Sequence, residues 1–189
     1  MKNIILLGGN GYIGRHVTKQ WMARDKQAIF YVISRSGENK LQSPQIKNLK
    51  ADVTDIDSVK AVLPKKIDCI IDFVGRPEKD LDMLNKINKR PAEVMLEIAK
   101  EYNVEKLGFI GGVLGPKSFV NIKAEILKML KSSGKKIAYV EPTLVYGDDR
   151  KDAMSKMVPL LKCFGLFSKN LRPVHIDDVA KELVDKITK

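Results

Sequence analysis

An α/β fold with a mainly parallel sheet and helices on both faces is what this sequence predicts, on three observations. The segment Ile4 to Leu7 is apolar at every position, as a strand buried on both sheet faces must be. It runs at once into glycines, and from Gly11 the pattern turns helical, with Ile13, Val17 and Trp21 on one side. Strand-like and helix-like segments then alternate to the end of the chain without a repeat, a low-complexity tract or a linker.

The remaining elements follow in order. Ala28 to Ser34, rich in β-branched and aromatic residues, reads as a second strand that Ser36-Gly37-Glu38-Asn39 breaks. A short strand about Ile46 to Ala51 leads to Asp52-Val53-Thr54-Asp55, where Thr54 or Asp55 caps a helix through about Leu63, stopped by Pro64. Ile67 to Val74 is a fourth strand. From about Asp80 to Tyr102 the chain is amphipathic, with Leu84, Ile87, Val94 and Ile98 at helical spacing and Pro91 as a kink or restart. Val104 to Ile110 is strand five, Phe119 to Leu130 a helix, and Lys136 to Val140 strand six. Met154 to Cys163 reads as helical and Val174 to Ile176 as a short extended piece. Ile176 to Ile187 closes the chain as a helix with Asp177 and Asp178 in its first turn. Right-handed crossovers make this a Rossmann-type, doubly wound sheet. A ligand then belongs outside the carboxyl ends of the strands, where the connections after strands one, two and four converge.

With 189 residues, 44% of them hydrophobic, the chain can bury one sizeable core, so residues 1–189 are expected to form a single domain. No uninterrupted apolar stretch of about 18 residues exists, and Lys2 leads straight into the first strand without a signal-peptide layout. A cytoplasmic protein without a membrane span is the expectation. Cys69 and Cys163 are far apart and lack metal-ligand spacing, so reduced structural thiols and no metal are expected. The net charge of +11 invites a nucleic-acid partner, but the lysines are scattered and the densest group, Lys131, Lys135 and Lys136, falls at a helix end. Aromatics are only 6% and do not interleave with the basic residues, so no specific nucleic-acid binding is expected.

The glycines carry the chemistry. Gly9, Gly11 and Gly14 satisfy the dinucleotide fingerprint, and Gly8, Gly11 and Gly14 the related spacing with two residues between glycines. At a strand-to-helix turn the backbone must approach phosphate oxygens without a Cβ in the way, and the helix N-terminus offers free N–H groups to the anion. Gly8, Gly11, Tyr12, Ile13 and Gly14 are therefore candidates for holding a pyrophosphate; the alternative is a tight turn with no ligand. Sites that prefer NAD place an acid at the end of strand two, whereas this chain has Ser34-Arg35-Ser36. A guanidinium pairs with phosphate and cannot accept a hydroxyl proton, so NADP(H) is expected ahead of NAD(H), with Arg35 on the 2′-phosphate. An arginine directed to solvent is the alternative.

The glycine turn, Asp52-Val53, Asp72-Phe73-Val74-Gly75, Asn88, Pro142-Thr143-Leu144-Val145-Tyr146-Gly147 and Pro173-Val174-His175-Ile176-Asp177-Asp178-Val179-Ala180 stand in that order. In this the chain resembles the short-chain dehydrogenase/reductase superfamily over nearly its whole length, above all the extended and atypical branch with epimerase-like and nitrogen-regulator-like members. The resemblance implies that Asp52 holds the adenine amino group and Val53 packs on the ring. It implies that Phe73, Val74 and Gly75 line the ribose and nicotinamide, that Lys123 binds the nicotinamide ribose, and that Pro142 and Thr143 lie near the nicotinamide amide. Each has a plainer alternative: Asp52 as a helix cap, Gly75 as a turn, Pro142 as a strand stop, Lys123 as an exposed lysine.

The resemblance fails at the proton donor. The superfamily places a tyrosine four residues before the lysine and a serine at the end of strand five; this chain has Phe119 and Gly111-Gly112. A phenyl ring neither donates nor accepts a proton, and positioned acid-base transfer is worth roughly 10²–10⁴-fold. Tyr146, His175 and His16 read as structural, and Glu141 stands where relatives often carry arginine, so no catalytic residue is assigned. The expected function is that of an NAD(P)H-binding, oxidoreductase-like protein that passes hydride to a flavin or quinone-type acceptor. The alternative is a non-catalytic NADP(H)-binding sensor, regulator or assembly partner. The expected partner is a small-molecule acceptor or a protein, over a substrate region of about 111–118 and 141–173, with the oligomeric state unassigned.

Overall fold

The computed structural model describes residues 2–147 and 172–189. Six strands, β1 (Asn3–Leu7), β2 (Ile29–Ser34), β3 (Ile46–Lys50), β4 (Cys69–Asp72), β5 (Lys106–Ile110) and β6 (Lys136–Val140), form one sheet. Their order is β3-β2-β1-β4-β5-β6, and every pairing is parallel. The chain winds outward from β1 to β3, then returns to the other side of β1 with β4. The two directions part between β1 and β4, where the connections leave a crevice at the carboxyl ends of the strands.

Alternation along the strands explains why helices cover both faces. Ile5, Leu7, Tyr31, Ile33, Ile70 and Phe109 face one core, which α2 (Ile56–Lys60), α3 (Leu81–Glu101) and α4 (Lys117–Ser132) complete. Ile4, Leu6, Phe30, Val32 and Ile71 face the other, under α1 (Tyr12–Arg24) and α5 (Ile176–Thr188). Phe30 and Phe109 are fully buried, one in each core, and each such side chain contributes roughly 1.5–3 kcal/mol. Gly108 lets α5 lie close on β5: a Cβ there would meet Ile187 Cδ1 at 3.0 Å and Ile71 Cγ1 at 2.8 Å. The α1 and α5 helices are also joined by the Arg24–Asp185 ion pair and by Gln20, which donates to Asp177 O at 3.0 Å.

The doubly wound parallel sheet and the order of its elements are as the sequence predicts; several boundaries are not. The second helix stops at Lys60 rather than about Leu63, and Asp55 is its cap, accepting from the Asp57 N–H at 3.0 Å. Strand four spans only Cys69–Asp72, because Val74 N–H turns away from the ladder to Asp72 Oδ1 at 2.8 Å. Strand five begins at Lys106, two residues late, and α4 begins at Lys117, two residues early. Pro91 neither restarts nor ends α3, which runs through it with the ring buried. A small parallel pair, β7 (Val145–Tyr146) and β8 (Val174–His175), joins the Pro142 segment to the chain before α5. The helix expected over Met154 to Cys163 lies outside the described residues. Cys69 is buried, and burial pushes its thiol up, out of reach of ionisation at neutral pH. Among the described residues no helix is long and apolar enough to cross a membrane, and no group of histidine, cysteine and acidic side chains is placed to hold a metal.

Candidate functional site

The turn after β1 is built by close approaches that only glycine permits. Gly8 has φ +69°, and a Cβ there would lie 2.8 Å from Val74 Cγ2. Gly14 sits against Gly9, where a Cβ would come 2.6 Å from the Gly9 Cα. Gly11 precedes α1 as its N-cap, without a side chain to close the helix end. Among the described residues a Cβ on Gly11 would meet only Gly8 O, at 3.2 Å, so they leave the space beyond it open. The first N–H groups of α1 therefore face an uncovered approach, the arrangement that suits an anion.

Beside this turn a cavity of about 540 Å3 opens at the carboxyl ends of the strands. Gly8 and Asn10 come from the turn, Ile33 to Ser36 from the end of β2, Val53 from the loop after β3, and Phe73 and Val74 from the exit of β4. Of the residues singled out from sequence it thus brings together Gly8, Arg35, Val53, Phe73 and Val74. A polar cavity of about 630 Å3 adjoins it and shares Asn10 and Ser36, with Arg15 and Lys40 among its walls. These two cations were not singled out from sequence, although Arg15 directly follows the last glycine of the fingerprint. Arg15 donates to Asn10 O at 2.7 Å and so braces the turn.

The other candidates lie around this cleft rather than on its lining. Asp52 is exposed, and its Oδ1 accepts from the Thr54 N–H at 3.0 Å and the Thr54 hydroxyl at 2.9 Å. Those bonds, the backbone one foremost, hold its carboxyl below the usual carboxylate range against slight burial, with smaller help from Lys86 and Arg35. Tyr12 donates to Gly147 O at 2.7 Å, and Ile13 packs on the α1–α5 core. The Thr143 hydroxyl donates to Arg172 O, and Pro142 O accepts from the Val113 N–H at 3.4 Å. His175 caps α5 through Nδ1, which accepts from the Asp177 N–H at 3.3 Å, and His16 lies 3.6 Å from the Asp177 carboxylate.

Lys123 is not the exposed lysine of the plainer alternative. It keeps 4% of its surface, and its Nζ donates to Val74 O at 3.0 Å. The ammonium lies 4.8 Å from the Phe109 ring centre and 5.8 Å from that of Phe119. The fully buried Asp72 lies at the end of the neighbouring strand, and burial pushes its carboxyl up to about 6 despite the opposing Lys123 charge and Val74 N–H. Burial pushes Lys123 down, and Asp72 resists that shift. The sequence reading quoted Asp72 only as part of the strand-end motif. Its cue was a carboxylate at the end of an otherwise apolar strand, a residue type that is seldom buried without a partner.

A glycine turn between β1 and α1, opening on a crevice where the strand order reverses, defines the NAD(P)-binding Rossmann class and its epimerase-like short-chain dehydrogenase/reductases, an oxidoreductase-like, nucleotide-binding fold. The model of the NAD dependent epimerase/dehydratase family matches residues 4–118, and the chain belongs to that family. It is 28% identical over 112 residues to the UDP-glucose 4-epimerase of Lacticaseibacillus casei, a match that covers 56% of this chain and 34% of that protein. In fold it is similar to the Bordetella bronchiseptica enzyme WbmH in complex with NAD+, with a TM-score of 0.75, 16% identity, and coverage of 100% of this chain and 72% of that one. It is equally similar to an ElxO variant with NADPH bound, with a TM-score of 0.75, 16% identity, and coverage of 98% and 91%.

Proposed function

We propose that the cleft binds a nicotinamide dinucleotide, NADP(H) ahead of NAD(H), and that the protein passes hydride from it to a flavin or quinone-type acceptor. The observation that carries this reading is the cleft at the strand ends, walled by Gly8, Arg35, Val53, Phe73 and Val74. Family membership and fold neighbours that hold NAD+ or NADPH support a nicotinamide nucleotide as its occupant. The open side of Gly11 fits a pyrophosphate, with Gly8, Tyr12, Ile13 and Gly14 shaping the turn. Arg35, exposed at the end of β2, would pair with the 2′-phosphate; the positions directly after β2 are Arg35 and Ser36 rather than an acid, and the nearest carboxylate in sequence beyond them, Glu38, lines the adjoining cavity. Val53 would pack on the adenine, Asp52 would hold its amino group, and Phe73 to Gly75 would face the ribose and nicotinamide, with Pro142 and Thr143 beyond.

A nicotinamide held there would supply hydride chemistry, and for a flavin or quinone-type acceptor the accompanying proton would come from water rather than from a side chain. Such acceptors do not require the hydroxyl that Phe119 lacks. The proposed acceptor side comprises residues of about 111–118 and 141–173, of which 148–171 lie outside the described residues. A second reading, a non-catalytic NADP(H)-binding sensor, regulator or assembly partner, is favoured by one observation: Lys123, whose ammonium lies 5.8 Å from the Phe119 ring centre, is buried and bonded to Val74 O.

Titration of NADPH and NADH into the protein, followed by NADPH oxidation with flavin and quinone acceptors, tests both. Tight NADPH binding with turnover supports the reductase, and binding without turnover on any acceptor supports the sensor. Binding of neither nucleotide removes both readings.

A further inference from the structure

The wall of the cleft formed by Phe73 to Gly75 rests on three buried polar side chains from three different elements. Asp72 and Asn88 are fully buried, and Lys123 is nearly so. Asp72 Oδ1 accepts the Val74 N–H at 2.8 Å, and Lys123 Nζ donates to the Val74 carbonyl at 3.0 Å. One residue is thus gripped at both of its backbone polar atoms by an acid from β4 and a base from α4. Asn88, from α3, donates to Arg76 O at 3.0 Å and to Leu84 O at 2.9 Å, which fixes the far end of the same segment. Gly75 lies directly over the group: with φ +144°, a Cβ there would come 2.5 Å from both Lys123 Nζ and Asn88 Oδ1.

The charges are balanced within the group. The charge acting on Asp72 is that of Lys123, and the charge acting on Lys123 is that of Asp72. The Phe109 and Phe119 rings flank the ammonium, and among the described residues Asp72 Oδ2 has no hydrogen-bond partner. An ionised carboxylate with an unpaired oxygen in such a place persists only while the cation stays. Val74 is also the side chain that abuts the glycine turn, 2.8 Å from the Cβ position of Gly8. Whatever moves Val74 therefore moves the wall opposite Gly8.

We propose that Asp72 is a positioning residue of the cleft: ionised and within the field of the Lys123 charge, it holds the Val74 N–H while Lys123 holds the Val74 C=O, and protonation of Asp72 loosens that two-sided clamp and weakens nucleotide binding. The effect on binding rests on the nucleotide reading above; the clamp itself does not.

The test has one arm for each. In the first, NMR follows the Asp72 carboxyl carbon and the Val74 and Gly75 amides from about pH 4.5 to 8, in wild type and in Lys123→Met. The Val74 and Gly75 amides are expected to titrate with Asp72, near its midpoint of about 6, and that midpoint is expected to rise in Lys123→Met. Amides that ignore the Asp72 titration, or a midpoint that Lys123→Met leaves unchanged, overturn the clamp. In the second, NADPH and NADH affinities are measured for wild type and Asp72→Asn over the same range. Asp72→Asn keeps an acceptor for the Val74 N–H, and comparison with it cancels the titration of the 2′-phosphate itself. Wild type is expected to bind about tenfold tighter than Asp72→Asn at the alkaline end and to converge on it below the Asp72 midpoint. Parallel profiles overturn the effect on binding, which leaves Asp72 a merely structural residue. If wild type binds neither nucleotide, the nucleotide reading falls while the amide titration still decides the clamp.

Discussion

Gly14 and Gly9 touch across the turn after β1: a Cβ on Gly14 would lie 2.6 Å from both the Cα and the carbonyl oxygen of Gly9. The fingerprint glycine inside α1 thus seats the helix on the turn, and phosphate approach is left to Gly11. Gly14→Ala should therefore destabilise the whole protein by roughly 1–3 kcal/mol, as overpacking does. Thermal unfolding measures this; a melting temperature equal to wild type means that the helix has room to retreat.

Gly11→Val should act differently. Among the described residues the space around Gly11 is open apart from Gly8 O at 3.2 Å, so a larger side chain fills the phosphate approach with less effect on the core. Nucleotide affinity should collapse while the melting temperature changes by less than in Gly14→Ala. Calorimetric titration of NADPH decides it, and undiminished binding would place the pyrophosphate elsewhere.

Arg35→Ala should remove the preference for NADP(H) over NAD(H). A charged hydrogen bond is worth about 1.5–3 kcal/mol, so NADPH should bind roughly 10- to 100-fold more weakly while NADH changes little. Equal losses for the two nucleotides would point to the adenine or pyrophosphate instead.

Carbonyl reduction should be negligible in wild type and in Phe119→Tyr, measured as NADPH oxidation over a panel of ketones, aldehydes and sugar nucleotides. A hydroxyl is still missing at the end of β5. Gly111 cannot gain a side chain without displacing Glu141, whose Cγ lies 2.8 Å from the Cβ position, whereas Gly112 meets only Phe119 Cε1 at 3.6 Å. Robust turnover by wild type would show that another group supplies the proton.

Stability should depend on pH through Asp72. Its carboxyl lies above the ordinary value in the folded protein, at about 6 against 3.8, so the folded state holds that proton more tightly than the unfolded state. The contribution is fully present below about pH 4 and is lost as pH rises through about 6, in total of order 2–3 kcal/mol. Denaturant unfolding of wild type and Asp72→Asn should show a stability difference that shifts in favour of wild type as pH falls from 7 to about 4.5. A difference that stays flat over that range would mean that Asp72 titrates alike in both states.

Sequence patterns revealed the sheet because its signals are local: apolar strands, Asp55 and Asp80 at helix starts, and glycines at the first turn. The strand ends were less legible, since β4 stops where a side chain, Asp72, captures the Val74 N–H, a contact that periodicity does not register. Arg35 was singled out by its place just past strand two, and Val53, Phe73 and Val74 by the family resemblance; the structure sets all four on one cavity. Asp72 and Lys123 are 51 positions apart, and their meeting under Val74 depends on how α4 crosses the sheet. Arg15 and Lys40 were missed for a similar reason, as the second cavity forms only when the segment after β2 folds back beside the turn.

The position of α5 constrains the order in which the molecule can be completed. Ile176, Val179, Ala180, Leu183, Val184 and Ile187 cover the side of the sheet that carries Ile4, Leu6 and Ile71, whereas the opposite side is covered by helices made earlier. A ribosome that has delivered everything up to residue 175 holds a sheet covered on one side by α2, α3 and α4 and, among the described helices, only by α1 on the other. Until the last helix emerges and docks beside α1, the part of that side which α5 covers is a surface for chaperones or for aggregation, and a stop codon before Ile176 would make its exposure permanent.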